Sequence, residues 1–171
     1  MDELNIVFCF PGNDAKIDTH TLGKQKDKSK GFFNTNDHTS CEVRLTVPFY
    51  DLDPMNMVWH GNYLKYFDVA RFVLFDKCGI DLYSYSKKTG YLFPVIKTST
   101  KHIIPLRNRD KFICKATILE ARIKIMIDFE IRCEGRSEIC AKGRSEQVAV
   151  KFPEMEMMFE IPDEIRTALG C

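Results

Sequence analysis

The chain has 171 residues, a length typical of a single folded domain. Lysine and arginine total 25 against 24 aspartates and glutamates, so net charge gives no reason to expect nucleic acid or an anionic membrane as a partner. No apolar run approaches the roughly 20 residues of a membrane span, and the N-terminus lacks the features of a secretory signal. We therefore expect a cytoplasmic protein with no membrane span.

The cysteines are odd in number, scattered along the chain, and never spaced as C-x-x-C. This pattern is typical of reduced thiols that pack as small apolar side chains, and it does not predict a zinc site. We assign no catalytic role to any of them: Cys9, Cys41, Cys78, Cys114, Cys133, Cys140 and Cys171.

Residues 1–41 differ in composition from the rest of the chain. After a short apolar run at positions 6–10 the sequence is polar as far as Ser40, with lysines at alternate positions from Lys24 to Lys30. Such a composition predicts an N-terminal extension of poorly fixed structure, followed by one domain over residues 42–171. A strand over residues 5–10, added to a sheet edge, remains an alternative.

From Glu42 onward the hydrophobic pattern predicts regular elements. Val43, Leu45, Val47 and Phe49 alternate with Glu42, Arg44, Thr46 and Pro48 and indicate a strand. Residues 61–78 form a largely apolar segment that predicts a long helix ending at Gly79. Four further extended segments follow at 94–104, 111–121, 123–133 and 139–152, and a short helix is predicted over 162–169.

This order of elements predicts an α+β fold. Five strands with one apolar face form a single antiparallel sheet, and the long apolar helix is the element able to cover that face. We therefore expect one sheet wrapped around one buried helix.

The candidate chemistry lies between the first strand and the long helix. There the sequence contains an Asp-x-Asp-Pro turn (Asp51 and Asp53), then Trp59, His60 and the start of the helix. An aspartate can attack a carbonyl or take a proton from water, whereas the plain alternative is that both acids only form a turn. Unpaired backbone N–H groups at the start of the helix would stabilise an oxyanion.

The stretch from Val47 to Asp68 resembles the 4-hydroxybenzoyl-CoA thioesterase family of hotdog-fold proteins, which have a D-x-D turn, an aromatic residue, then H/Y-x-N-Y and an acidic helix. Weaker similarity continues to Leu169. The resemblance implies hydrolysis of acyl-CoA or acyl-carrier-protein thioesters, with Asp53 as nucleophile or general base and the His60 backbone amide as oxyanion donor. It also implies a homodimer or homotetramer. Because the sequence contains no Gly-rich phosphate loop, metal pair or Ser-His-Asp constellation, we expect no dissociable cofactor or metal.

Further site residues are assigned within this framework. His60 is a candidate to orient substrate or water through its imidazole, and Asn62 is predicted to cap or pack. Asp68 is a reserve carboxylate, although its position on the narrow polar side of the helix favours a structural role. Candidate substrate-binding residues near the turn are Met57, Trp59, Gly61 and Tyr63, with Phe49 and Met55 as further candidates for the acyl pocket, and Arg107 and Arg109 are candidates to hold the phosphates of coenzyme A.

One position departs from the family pattern, because Asn56 stands where glycine is common. Asparagine tolerates left-handed backbone angles, so the turn is still expected to form. Two alternative functions remain: a hotdog hydratase or dehydratase, and a non-catalytic acyl-CoA-binding regulator. The spacing from Asp53 to His60 does not match the D-x(4)-H pattern of such hydratases, and residues 1–41 show no DNA-binding pattern.

Overall fold

The computed structural model describes residues 40–170, so the alternative strand at 5–10 lies outside the described residues. The large strands are β1 (Ser40–Thr46), β3 (Val95–His102), β4 (Lys111–Glu120), β5 (Ile125–Cys133) and β6 (Ile139–Gln147). The helices are α1 (Tyr63–Lys77), α2 (Leu82–Thr89) and α3 (Asp163–Ala168). Three short strands complete the fold: β2 (Tyr91–Leu92), β7 (Val150–Lys151) and β8 (Glu156–Met157).

The five large strands form one antiparallel sheet in the order β1-β4-β5-β6-β3. In β5 every second residue is buried, from Ile125 to Cys133, as expected for a strand with one face against a core. The predicted α+β architecture, with five strands and one covering helix, is confirmed.

Helix α1 covers the inner face of this sheet. Its buried side chains include Phe67, whose ring stacks on Phe129 of β5 with centroids 4.8 Å apart. The same ring lies over Gly143 of β6, where an added Cβ would come within 2.3 Å of it. A glycine at this position therefore lets the helix lie close to the sheet.

Strand β3 is an edge of the sheet, and all eight of its residues are exposed. The register places Thr98, Thr100 and His102 opposite Ser145, Gly143 and Ala141 of β6. These three β3 side chains therefore share the inner face of the sheet, beyond the part that α1 covers.

Three predictions about elements need correction. The first strand, predicted through Phe49, ends at Thr46, because residues 49–51 form a 3-10 turn. The loop between α1 and β3 contains helix α2, whose first turn is capped by the Asp81 carboxylate accepting from the backbone N–H groups of Tyr83 and Ser84. The last strand, predicted to run through residue 152, ends at Gln147. The chain then enters a second sheet of order β2-β7-β8, in which Val150 and Lys151 pair with Leu92 and Tyr91.

Among residues 40–170 no helix is long and apolar enough to cross a membrane. The five cysteines that the structure describes are free thiols, and four of them are buried. Burial raises the pKa of Cys41 to about 11, which agrees with the predicted packing role.

Candidate active site

Asp53 lies in a tight turn between β1 and the start of α1. Its Oδ1 atom accepts hydrogen bonds from the backbone N–H groups of Met55 (2.8 Å) and Met57 (3.2 Å). No residue in the range 40–170 contacts Oδ2 by a hydrogen bond or ion pair, and the side chain is only half-buried. One carboxylate oxygen is therefore fixed and the other is available.

The turn has the backbone geometry that Asn56 was expected to tolerate. Asn56 has φ of 60°, and its N–H donates to the Asp53 carbonyl at 2.9 Å. The Asp53 N–H donates to the Met57 carbonyl at 2.7 Å, closing the turn from the other side. Asparagine is one of the few non-glycine residues suited to this left-handed position.

Asp51, the first acid of the motif, is in a different environment. Its side chain is only 3% exposed and forms an ion pair with the Lys65 ammonium. Its Oδ2 accepts from the Tyr66 hydroxyl at 2.7 Å. Burial, and then this hydrogen bond to a carboxylate, raise the pKa of the Tyr66 hydroxyl. Asp51 therefore binds the turn to helix α1 and is closed to a substrate.

The Asp51 carbonyl also holds the segment that precedes the helix. It accepts hydrogen bonds from the Trp59 backbone N–H and from Asn62 Nδ2, both at 2.9 Å. Asn62 makes no side-chain hydrogen bond to the helix end, so it does not cap α1. The turn that carries Asp53 and the tip of α1 are thus fixed to the same residue.

A 3-10 turn over His60–Asn62 leads directly into α1. The first N–H groups of a helical segment have no partner within it, and they carry a partial positive charge. The His60 ring is exposed and lies 4.7 Å from the Trp59 ring, centroid to centroid. Trp59 is 49% exposed and covers Gly61, where an added Cβ would lie 2.0 Å from its ring.

Tyr63 and His102 meet beneath this tip. The Tyr63 ring is buried, and its hydroxyl oxygen accepts from the Leu106 backbone N–H at 3.2 Å. The His102 ring lies edge-on to it, with centroids 4.5 Å apart. Tyr63, a candidate for substrate contact, is therefore placed in the core, and the exposed His102 was not predicted because it lies in no recognisable motif.

The loop after β3 connects the two arginine candidates to the turn. Met57 and Arg107 form an isolated antiparallel bridge, and the Val58 N–H donates to the Leu106 carbonyl at 2.9 Å. Arg109, with φ of 62°, donates its N–H to the Val47 carbonyl. Both arginine side chains are exposed, and the backbone pairing places this loop beside the Asp53 turn.

Other residues near the turn have clear positions. Phe49 and Met55 are 75% and 67% exposed, so they are surface residues and not core. Asp68 forms an ion pair with Arg71 at 3.0 Å, which supports its structural role. Among the described residues no hydrogen bond ties Asp68 to the turn.

A concave depression of about 520 Å³ lies on the outer face of the large sheet, away from the helix tip. It is lined by charged and hydroxyl side chains, including Lys101, Lys115, Asp128, Glu130, Lys142 and Arg144. The ion pair of Arg144 with Asp128 and that of Lys142 with Glu130 cross this surface. It contains none of the predicted site residues.

Comparison with known proteins places the chain in a family. The model of the Thioesterase-like superfamily matches residues 47–169. A Synechocystis protein named "Putative esterase sll0410" is 23% identical over 129 residues, which cover 75% of this chain and 77% of that protein.

Two solved structures share the fold at lower identity. The 1,4-dihydroxy-2-naphthoyl-CoA thioesterase Slr0204 from Synechocystis superposes with a TM-score of 0.71 at 18% identity, covering 77% of this chain and 96% of that one. The 4-hydroxybenzoyl CoA thioesterase from Pseudomonas sp. strain CBS-3 gives 0.68 at 17% identity, covering 76% and 99%.

The chain therefore belongs to the Thioesterase-like superfamily and has the hotdog fold. The predicted resemblance is confirmed at the level of family and fold, and the class of enzyme is that of the thioesterases.

Proposed function

We propose that this protein hydrolyses acyl-CoA thioesters and that Asp53 supplies the reacting carboxylate. The observation that carries the proposal is the asymmetry of Asp53: two backbone N–H groups fix Oδ1, while Oδ2 has no partner among residues 40–170. A carboxylate that is oriented on one side and available on the other suits a nucleophile or a general base. Both roles remain open.

The tip of helix α1 supplies the second part of the proposed site. The N–H group of His60 opens the 3-10 turn and is the proposed donor to the thioester oxygen as that oxygen gains negative charge. The Asp51 carbonyl holds Trp59 and Asn62 on either side of this donor. Asp53 and the donor are therefore supported by one rigid set of hydrogen bonds.

The residues around the Asp53 turn offer contacts for both parts of the substrate, the acyl group and its carrier. Met57, Trp59 and Gly61 offer an apolar surface for the acyl group, and Arg107 and Arg109 are proposed to contact the phosphates of coenzyme A. The two solved relatives named above act on hydroxylated aromatic acyl-CoA thioesters by name, so such compounds belong in the substrate panel. An acyl-carrier-protein thioester is the alternative carrier.

We further propose that the protein is a homodimer or a homotetramer in the cytoplasm. All eight residues of the edge strand β3 are exposed, including the apolar Val95 and Ile96. An open edge with apolar side chains is a surface that a second copy can pair with. The free thiols of the described cysteines are consistent with a reducing compartment.

The test is a thiol-release assay across a panel of aliphatic and hydroxyaryl acyl-CoA thioesters. We expect wild-type protein to turn over part of the panel and Asp53→Asn to lose at least about 100-fold in kcat, as for the loss of an essential acid–base group. Asp76→Asn, an exposed carboxylate further along α1, is the matched control and should keep the wild-type rate.

Three results would oppose the proposal. If Asp53→Asn keeps the wild-type rate on the best substrate, Asp53 is neither nucleophile nor base. If Asp68→Asn loses activity and Asp53→Asn does not, the acid on the helix is the reacting group. Turnover of enoyl-CoA without thiol release would instead favour a hydratase.

A further inference from the structure

A second histidine lies at the helix tip, outside the Asp53 turn and outside the motif. His102 ends strand β3, and its register partner is Ala141 of β6, a fully buried residue of the inner face. The imidazole therefore projects from the inner face of the sheet, and it is exposed at the edge that β3 forms. It contacts the ring of Tyr63, the first residue of α1, and interacts electrostatically with His60 of the 3-10 turn.

The imidazole contacts the residue that begins α1. The Tyr63 ring lies edge-on to it, with the ring centroids 4.5 Å apart. The Tyr63 hydroxyl oxygen in turn accepts a hydrogen bond from the Leu106 N–H. The Leu106 carbonyl accepts from Val58, which lies between the Asp53 turn and His60. A short series of contacts therefore joins His102 to the segment that carries Asp53.

Neither ring nitrogen of His102 has a hydrogen-bond partner among residues 40–170. The surrounding titratable groups are His60 on the 3-10 turn and Tyr63 on α1, while Lys101 and Lys142 belong to the opposite face of the sheet. No carboxylate of the described residues pairs with the imidazole. It is thus an exposed, oriented and unpaired proton acceptor.

We propose that His102 is a catalytic proton acceptor that takes a proton from the water attacking the acyl group and passes it to the departing thiolate. The inference rests on the proposed thioesterase function. With Asp53 as the nucleophile, its carboxylate forms a bond to the acyl carbon and the C–S bond breaks, which releases the thiolate. Water then forms a bond to the same acyl carbon, and the bond from that carbon to Asp53 breaks, which restores the carboxylate. One proton of the water stays on the carboxylic acid, and the other moves to His102 and then to the thiolate.

This role assigns the two side chains different tasks. Asp53 attacks the thioester, and the His60 amide binds the oxyanion. His102 requires its neutral form to accept a proton. Partial burial, and then the nearby His60, lower the pKa of His102 below its ordinary value of 6.5, so the neutral form dominates at pH 7.

The experiment measures kcat between pH 5 and 8 for wild type, His102→Gln and His102→Ala on the best acyl-CoA substrate. Because the neutral base is active, wild-type kcat should rise with pH through a midpoint below 6.5. His102→Gln should lower kcat at pH 7 about 100-fold and lose this acidic limb, with KM little changed. Added imidazole should restore part of the rate of His102→Ala.

The matched control is Lys101→Gln, because Lys101 precedes His102 on β3 and lies on the outer face. It should keep the wild-type pH profile. A purely structural role for His102 would lower kcat by loss of folded protein, without loss of the acidic limb and without rescue by imidazole.

The outcomes separate this inference from the function on which it rests. If Asp53→Asn loses activity but His102→Gln keeps the wild-type kcat and the acidic limb of its pH profile, the inference about His102 is overturned and the proposed function is not. Absence of thiol release by wild type, or full activity of Asp53→Asn, would overturn the proposed function.

Discussion

The two acids of the Asp-x-Asp motif are two residues apart but have opposite environments. Asp51 is enclosed, with both carboxylate oxygens paired, whereas Asp53 keeps one oxygen without a partner among the described residues. Sequence alone indicated an acid–base candidate in this turn, and the family resemblance selected Asp53. The sequence did not predict that Asp51 would bind the turn to α1. That contact depends on Lys65 and Tyr66, which lie in the first turn of α1.

Asp51→Ala should destabilise the fold by about 2 kcal/mol. The change removes a charged acceptor from the buried Tyr66 hydroxyl, and such hydrogen bonds contribute about 1.5–3 kcal/mol. The Lys65 pair adds little, because the lysine side chain is 52% exposed. Urea unfolding measures the effect, with Asp76→Ala as the control expected to change stability by less than about 0.5 kcal/mol.

A conservative variant extends this test. Tyr66→Phe removes only the hydroxyl that donates to Asp51. It should destabilise the fold by less than Asp51→Ala, and the double variant should cost less than the two single changes combined, since both remove one interaction. Strict additivity of the two changes would show that the Asp51–Tyr66 contact contributes nothing.

Trp59 is the single tryptophan of the chain, so its fluorescence reports on the helix tip alone. Binding of a thioether analogue of an acyl-CoA substrate should change its fluorescence, since the ring is 49% exposed and covers Gly61. Gly61→Ala places a Cβ where the Trp59 ring lies, so it should displace the ring and raise KM. Unchanged emission at saturating analogue would place the acyl group elsewhere.

At the scale of elements, strong periodicity was predictive and weak periodicity was not. The alternation in β5 and the continuous apolar face of α1 identified both elements. Helix α2 was missed because its sequence is rich in Tyr, Ser and Lys. In the structure none of its residues is fully buried. The break after Gln147 was missed because apolar residues continue through Val148, Ala149 and Val150, all of which are buried although only Val150 belongs to a strand.

The contact between α1 and β6 gives a prediction of packing. Gly143→Ala would bring a Cβ within 2.3 Å of the Phe67 ring, which is itself stacked on Phe129. Overpacking of this kind costs about 1–3 kcal/mol. Thermal or urea unfolding should show that loss.

The matched substitution is two residues further along the same face of β6. Ser145 is buried, and its hydroxyl has no hydrogen-bond partner among the described residues. Ser145→Ala removes an unpaired buried polar atom, so it should leave stability unchanged or raise it. A loss as large as that of Gly143→Ala would mean that the hydroxyl is paired in solution.

At the scale of the whole molecule, the open edge at β3 predicts self-association. Light scattering should give a mass of two or four times the 19.9 kDa chain. Replacing Ile96 and Ile103, which are 56% and 48% exposed, by lysine should shift the protein toward the single chain. Ile123→Lys, at the turn between β4 and β5, is the control, and a wild-type protein of single-chain mass would contradict the proposal.

The proposed function depends on one carboxylate, that of Asp53, acting in the chemical step. Its most direct measurement is the single-turnover rate of acyl-CoA cleavage, with enzyme in excess, for wild type and Asp53→Asn, because this rate excludes product release. We predict a rate at least about 100-fold lower for Asp53→Asn with similar substrate affinity. Equal single-turnover rates for the two proteins would contradict the proposed role of Asp53.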